Sequence, residues 1–346
     1  MAPLDEPTAT SAAPGRWQVV TPPRSPLRSR GDGTGFQIGV LWPTDDCAGA
    51  KAGDPAQQSR LAAQLERIGV DYVAVPEQTT GTGPVTAVGA WPANLRAVQV
   101  ILATRTLGVV SAQRTSYVHP VHLARTGSHL DWLSGGRWGA WVDPVRTDAE
   151  DRLLGWTPEP GTPLERAAAS LEAVSAIWHT PRGVPVEVDS AHFRIHGRVK
   201  YPQVIQPRPF VMISEPGIEA LHLAARCADH YVAPAGSVAE LVTIAGHAHE
   251  AAAQAARPTP LRVMARALIG LGESPAPPGE GSLPLSGDTA QVGGALAQIA
   301  ELADVGGVLV ELPDWSAEAV DLFGFVLDRL RAAGLWTSSG DRGYTW

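Results

Sequence analysis

The chain is expected to fold as an α/β protein, a closed parallel barrel of eight strand–helix pairs. Three observations carry that expectation. Apolar runs of strand length alternate with amphipathic runs of helix length from Phe36 to Leu330. The 346 residues suffice for one large barrel with extra segments, and 44% are apolar, enough to fill its core. No tandem repeat exists beyond that alternation.

Residues 1 to about 34 are rich in Pro, Ser, Thr, Ala and Arg, lack periodicity, and read as a disordered leader. The barrel is placed at 35 to 336 and a C-terminal tail at 337 to 346. Phe36 to Trp42 is the first strand. Ala56 to Ile68 is the first helix, with Leu61, Leu65 and Ile68 on one face. Asp71 to Val75 is the second strand, followed by a Gly/Thr loop from Thr79 to Gly89. Leu95 to Ala103 is helical and Leu107 to Ala112 is the third strand. The next block, HPVHLARTGSHLDWLSGGRWGAWVD from 119 to 143, reads as helix, tight turn and strand. Pro120 suits a first helical turn, where its missing N–H is no loss. Leu123, Leu130 and Leu133, with Ala124 and Gly127, form an apolar stripe. Ser134, Gly135 and Gly136 stop the helix, because glycine tolerates the left-handed backbone of a helix end. Arg137 to Val142 is the fourth strand, ended by Asp143-Pro144.

Leu164 to Trp178 is the fourth helix, burying Leu171, Val174, Ile177 and Trp178. Residues 181 to 208 interrupt the rhythm with a short hairpin, Val184 to Val188 and Phe193 to His196, and a loop marked by Pro202 and Pro207. Phe210 to Ile213, His230 to Ala233, Leu261 to Leu271 and Gly307 to Glu311 are strands five to eight. Their helices are Ile218 to Cys227, Val238 to Ala256, Thr289 to Ala303 and Ala317 to Leu330. Glu273 to Gly287 is a Pro/Gly/Ser stretch without core-forming residues, read as a loop.

Composition excludes several classes. A net charge of −8 and the lack of a basic run argue against nucleic acid. Cys47 and Cys227 are too few and too far apart for a disulfide framework or a four-cysteine zinc site, and they fit a cytoplasmic protein. No apolar run reaches the roughly 18 residues of a membrane span, and the N-terminus lacks a secretion signal's apolar core. Gly33-x-Gly35-x-x-x-Gly39 precedes a strand, so it is no dinucleotide loop. No G-K-[ST], G-x-S-x-G or H-E-x-x-H pattern occurs. His119, His122 and His129 lack further converging ligands, so no metal is expected.

His119-Pro120, Leu130-Asp131, Leu133 to Arg137 and Trp138-Gly139 together resemble the H-P and L-D-x-L-S-G-G-R block of the luciferase-like, reduced-flavin-dependent monooxygenase superfamily. The resemblance runs from about Phe36 to about Leu335 and looks closest to the pyrimidine, dimethyl sulfone and alkanesulfonate monooxygenase branch. It implies a TIM barrel with a hairpin insertion after helix four and a shortened insertion, about fifteen residues, after strand seven. It implies reduced FMN supplied by a separate flavin reductase, with a deazaflavin as the alternative. It also implies a homodimer, or a heterodimer with a second such barrel, formed through helices two and three.

Catalytic groups in such barrels lie at the C-terminal strand ends. The resemblance maps the family's strand-four Asn onto Trp141, its Arg-Tyr pair onto Arg166-Ala167 and its phosphate turn onto Glu215-Pro216-Gly217. It maps the ring contacts onto Glu77 and Gln78, and the strand-seven Arg-x-His onto Arg266 and Leu268. Arg266 and Trp141 are thus the catalytic candidates. Trp42, Asp45, Thr115, Asp143 and Trp315 are the expected substrate pocket, its tryptophans offering stacking faces. Glu215 puts a carboxylate where a phosphate is expected and Pro216 deletes a donor, so flavin is expected to be weak, displaced or absent. A shift of one or two residues in that turn restores a usable cradle. The strand-end carboxylates Asp45, Asp46, Glu77, Asp143, Glu215 and Glu311 either hold a cation or act as caps and solvated charges. Three functions stay open: a flavin-dependent monooxygenase on a small organic substrate, a partner subunit without its own flavin, and a barrel with cofactor-independent chemistry.

Overall fold

The computed structural model describes residues 35–44, 47, 54–77, 91–157, 161–257, 259–272 and 281–338. The leader, the Gly/Thr loop, Asp45, Asp46 and Gln78 lie outside them. In chain order the elements are β1 Gln37–Leu41, α1 Pro55–Ile68, β2 Tyr72–Val75, α2 Ala93–Ala103, β3 Gly108–Arg114, α3 Pro120–Ser134 and β4 Trp138–Asp143. Then come α4 Asp148–Leu154, α5 Pro163–His179, β5 Val186–Asp189, β6 Arg194–Gly197, β7 Phe210–Ile213, α6 Ile218–Cys227 and β8 His230–Ala233. The chain continues through α7 Val238–Gln254, β9 Arg262–Leu271, β10 Leu283–Gly287, α8 Thr289–Ala300, β11 Gly307–Glu311 and α9 Ala317–Ala332.

Eight parallel strands close on themselves in the order β1, β2, β3, β4, β7, β8, β9, β11, the last pairing with β1. This is the expected (β/α)8 barrel. The β5–β6 hairpin stands apart as an antiparallel pair. Among the described residues no helix is long and apolar enough to cross a membrane.

The barrel interior is filled by a small-opposite-large rule. Tyr72, Phe210 and Met264 project inward with Ala74, Val110, Met212, Val232 and Leu309. In strand register Gly39 stands opposite Tyr72, Gly139 opposite Phe210 and Gly307 opposite Met264. A Cβ on Gly39 would lie 2.6 Å from the Tyr72 hydroxyl oxygen, and one on Gly139 would lie 2.7 Å from Phe210 Cδ1. His230 completes this layer, its ring edge-on to Phe210 at 4.6 Å and its Nδ1 3.3 Å from the Tyr72 hydroxyl. Large side chains on one strand are thus accommodated by missing ones on the next.

The 119–143 block is a joint. His119 caps α3, its Nδ1 accepting from Val121 N, and Gly135 ends the helix in the left-handed conformation at φ 66°. Gly127 lets Trp138 and Trp178 approach; a Cβ there would meet both rings at 2.8 Å. Their indoles meet edge to face at 6.3 Å. The buried Asp131 accepts from Gln206 Nε2 at 2.7 Å and from the amides of Gln206 and Ile205, fixing the chain ahead of β7. Arg137 donates to Ser134, Leu107, Ile101 and Thr104 carbonyls, sealing the end of α2. Leu133, placed by spacing on the apolar stripe, is instead 47% exposed.

Two elements depart from expectation. The short helix α4 has no apolar stripe to announce it; Leu153 and Leu154 both face outward. β10 lies in the stretch read as a coreless loop. β9 outruns β8, and β10 pairs with the overhang from Ala267 to Leu271, burying Leu283. The break at Pro284 hides its alternation. Beyond α9, the Trp336 indole donates to the buried Asp71 carboxylate at 3.0 Å, and Asp71 also accepts from Ile38 N.

Gly39→Ala is expected to reduce stability by about 1–3 kcal/mol, the usual range for overpacking a full core. Urea unfolding measures it, and an unchanged midpoint would mean that the Tyr72 ring can step aside.

Candidate active site

A cavity of about 580 Å³ opens at the C-terminal ends of the strands, the working end of this architecture. Its floor is apolar: Leu41 from β1, Val232 from β8 and Leu309 from β11. One wall is Trp141, whose indole N–H donates to the Ser214 hydroxyl at 2.8 Å. The pairing of Trp141 with Met212 in the β4–β7 register sets that contact, because Ser214 follows two residues on. Arg266 enters from β9, its Nη2 2.9 Å from Glu311 Oε2. Gly217, Pro234, Glu240 and Ile244 close the side where α6 and α7 begin.

The rim beside this cavity is tied down by charge. Arg114, at the end of β3, donates to Asp143 at 3.2 Å, to Glu150 of α4 at 2.7 Å and to the Val145 carbonyl at 3.0 Å. Next to it Arg146 and the Tyr117 hydroxyl both hold Asp151, each at 2.7 Å. Burial raises the Asp143 carboxyl above its ordinary pKa, against the opposing pull of Arg114. Glu215 is raised as well, first by burial and then by the charge of Asp143, with Arg114 opposing. The other described strand-end carboxylates have partners: Glu77 accepts from Ala93 N at the start of α2, Glu311 pairs with Arg266, and Asp314 accepts from Ser316.

Of the residues singled out from the sequence, Trp141, Arg266 and Gly217 line the cavity, and Glu215 lies between its lining residues Ser214 and Pro216. Others lie elsewhere. Trp42 is 1% exposed, and its indole donates to Gln58 beneath α1 at 2.9 Å. Trp315 is buried against it, ring centres 6.4 Å apart. These two tryptophans pack a helix layer and do not wall the pocket. Thr115 is buried and donates to the Asp143 carbonyl. Glu77 serves as a cap for α2, and Asp143 is held by Arg114. Arg166 is sandwiched between Trp156 and Phe193, at 4.9 and 4.7 Å from their ring centres, while its Nε donates to the Ser116 carbonyl. The guanidinium expected to grip a phosphate is thus buried as a packing and cross-linking group.

Sequence reasoning missed Glu240 and Ile244, which reach the cavity from α7 and not from a strand end. The pattern Ser237-x-x-Glu240 was the available signal. Ser237 Oγ accepts from Glu240 N at 3.2 Å, and the Glu240 carboxylate accepts from Gly236 N at 2.9 Å. Ser214 lay within a strand end but carried no motif of its own. Among the described residues no group of three or more His, Cys, Asp or Glu forms a metal site.

The luciferase-like monooxygenase pattern matches residues 36–305, and the chain belongs to that family. No curated sequence matches it. Among solved structures it is similar to the EDTA monooxygenase of Chelativorans sp. BNC1, with 17% identity, a TM-score of 0.76, and coverage of 90% of this chain and 96% of that one. It is also similar to a riboflavin lyase solved with modified FMN and riboflavin, with 16% identity, a TM-score of 0.74 and coverage of 90% and 94%. A long-chain alkane monooxygenase matches at 14% identity and a TM-score of 0.75, with 88% and 92% covered. At these identities the likeness establishes the shared barrel.

The raised pKa of Glu215 has a sign that can be measured. The native state holds this proton more tightly than the unfolded chain does. Its favourable contribution is therefore complete below the ordinary glutamate value of 4.5 and is lost as pH rises through the native value. Glu215→Gln is expected to be more stable than the parent at neutral pH and to lose that advantage in acid. Denaturant unfolding across this pH range measures it; a variant less stable at neutral pH would contradict the burial argument.

Proposed function

We propose that the chain is the oxygenating barrel of a two-component flavin-dependent monooxygenase, taking reduced flavin from a separate reductase and oxygen to act on a small organic substrate. The observation that carries this is the cavity itself. It lies at the working end of a family barrel, and its volume falls within the usual range for small-molecule sites. An apolar floor, a pinned indole and one guanidinium suit a flat ring system with a polar edge. Two similar structures are F420-dependent and another holds FMN, so a deazaflavin is the alternative ring. The two free cysteines, Cys47 and Cys227, are consistent with a reducing cytoplasm.

The residues present fit such a ring but not the phosphate of FMN. Arg166 is committed to its aromatic sandwich, Arg114 is shared by two carboxylates, and Glu215 precedes the proline of the turn. Oxygen activation would belong to the flavin. The chain's own part is to orient and to keep water out. Trp141 and Ser214 fix one wall, Leu41, Val232 and Leu309 exclude solvent below, and Arg266, paired with Glu311, turns its remaining N–H groups to a polar edge of the ligand.

A second reading, a partner subunit for another barrel, is favoured by one observation. Leu95 and Leu102 on α2 and Trp132 and Leu133 on α3 are 54%, 70%, 57% and 47% exposed. Apolar side chains on adjacent helices suit pairing with a like barrel, as a homodimer or heterodimer.

Titration of the purified chain with oxidised and reduced flavins, followed by oxygen uptake with a reductase and candidate substrates, separates the two. Micromolar binding is expected, weakened about tenfold in Trp141→Ala. Absence of flavin binding together with co-purification of a second barrel would favour the partner reading.

A further inference from the structure

We infer that the cavity selects a flavin without its terminal phosphate, accepting a neutral polyol tail at the end where α6 and α7 begin. The inference rests on the flavin reading above and concerns which flavin the site takes. Two helix N-termini border that end of the cavity, and either would normally attract a phosphate. The one at α7 is closed by the chain itself. Ser237 caps it, and the Glu240 carboxylate, which lines the cavity, occupies the Gly236 amide. The one at α6 has no side-chain cap, because Gly217 stands at the cap position with φ 98°. Yet Pro216 before it has no N–H, Glu219 lies in its first turn, and Glu215 precedes the proline.

Among the described residues, the guanidiniums beside this end are each already engaged, and Arg114 offsets Glu215 only in part. Arg114 is divided between Asp143 and Glu150, Arg266 faces Glu311, and Arg166 is buried between two rings. A phosphate dianion would therefore meet like charge from the half-buried Glu215 and from the exposed Glu219 and Glu240, a repulsion felt most at low salt. A chain of hydroxyls meets what it needs. Hydroxyls accept from the uncapped α6 amides and donate to carboxylates. Glu215 is the described strand-end carboxylate whose side chain makes no hydrogen bond or close ion pair, and it is half-buried between two cavity-lining residues.

The test is the dissociation constant of the full chain for riboflavin and for FMN, read by flavin fluorescence at low salt. Riboflavin is expected to bind about tenfold or more tightly than FMN. In the double variant Glu215→Gln/Glu219→Gln, FMN affinity is expected to rise severalfold, while riboflavin stays within roughly twofold, because a glutamine oxygen still accepts from a hydroxyl. FMN binding at least as tight as riboflavin, with no gain in the variant, overturns this inference and leaves the flavin reading standing. Binding of neither flavin overturns both.

Discussion

The structure depends on the way its barrel is filled. Three bulky inward side chains each face a glycine on the neighbouring strand: Tyr72 faces Gly39, Phe210 faces Gly139 and Met264 faces Gly307. These pairs let eight strands close at the usual spacing around aromatic and thioether groups. They also make the N-terminal half of the barrel solid. The cavity opens at the opposite end, where Trp141, Ser214 and Arg266 stand. The position of the cavity is thus a consequence of the core, not an independent feature.

Electrostatics then shape the rim of that cavity. Acidic side chains are common around the rim, but most are engaged. Asp143 and Glu150 share Arg114, Glu311 takes Arg266, Glu77 caps α2 and Glu240 holds Gly236. These interactions fix the loops that frame the opening and engage the neighbouring guanidiniums Arg114 and Arg266. The short helix α4 is central to this arrangement, since it supplies Glu150 and carries the Asp151 held by Tyr117 and Arg146. The family barrel is present, and carboxylates crowd the rim at the end where α6 and α7 begin.

The fold was legible because its signals are periodic. Alternating strands and stripes such as Leu61 with Leu65 mark buried faces whatever the cavity holds. The family block was equally legible, and its roles explain why it conveys architecture better than chemistry. Asp131 anchors the chain before β7, Arg137 seals α2, and Gly127 admits two indoles. What the sequence hid follows from the same physics. α4 exposes its leucines and has no stripe. β10 is interrupted by Pro284. Trp42 and Trp315 sit at strand ends by number but turn under the helices, where an indole finds Gln58 and a second ring. Arg166 could be aligned as a phosphate ligand; its burial depends on Trp156 ahead of α5 and Phe193 from the hairpin insertion, which no motif links to it. Glu240 reaches the site from a helix, and no rule about strand ends would find it.

A crystal structure of the chain soaked with riboflavin tests this account most directly. It predicts a ring against Trp141 and Ser214, with the tail running toward Gly217 and its hydroxyls on Glu215 or Glu240. Density for the ring elsewhere, or an FMN soak showing phosphate seated on the α6 amides with Glu215 turned out to solvent, would contradict it.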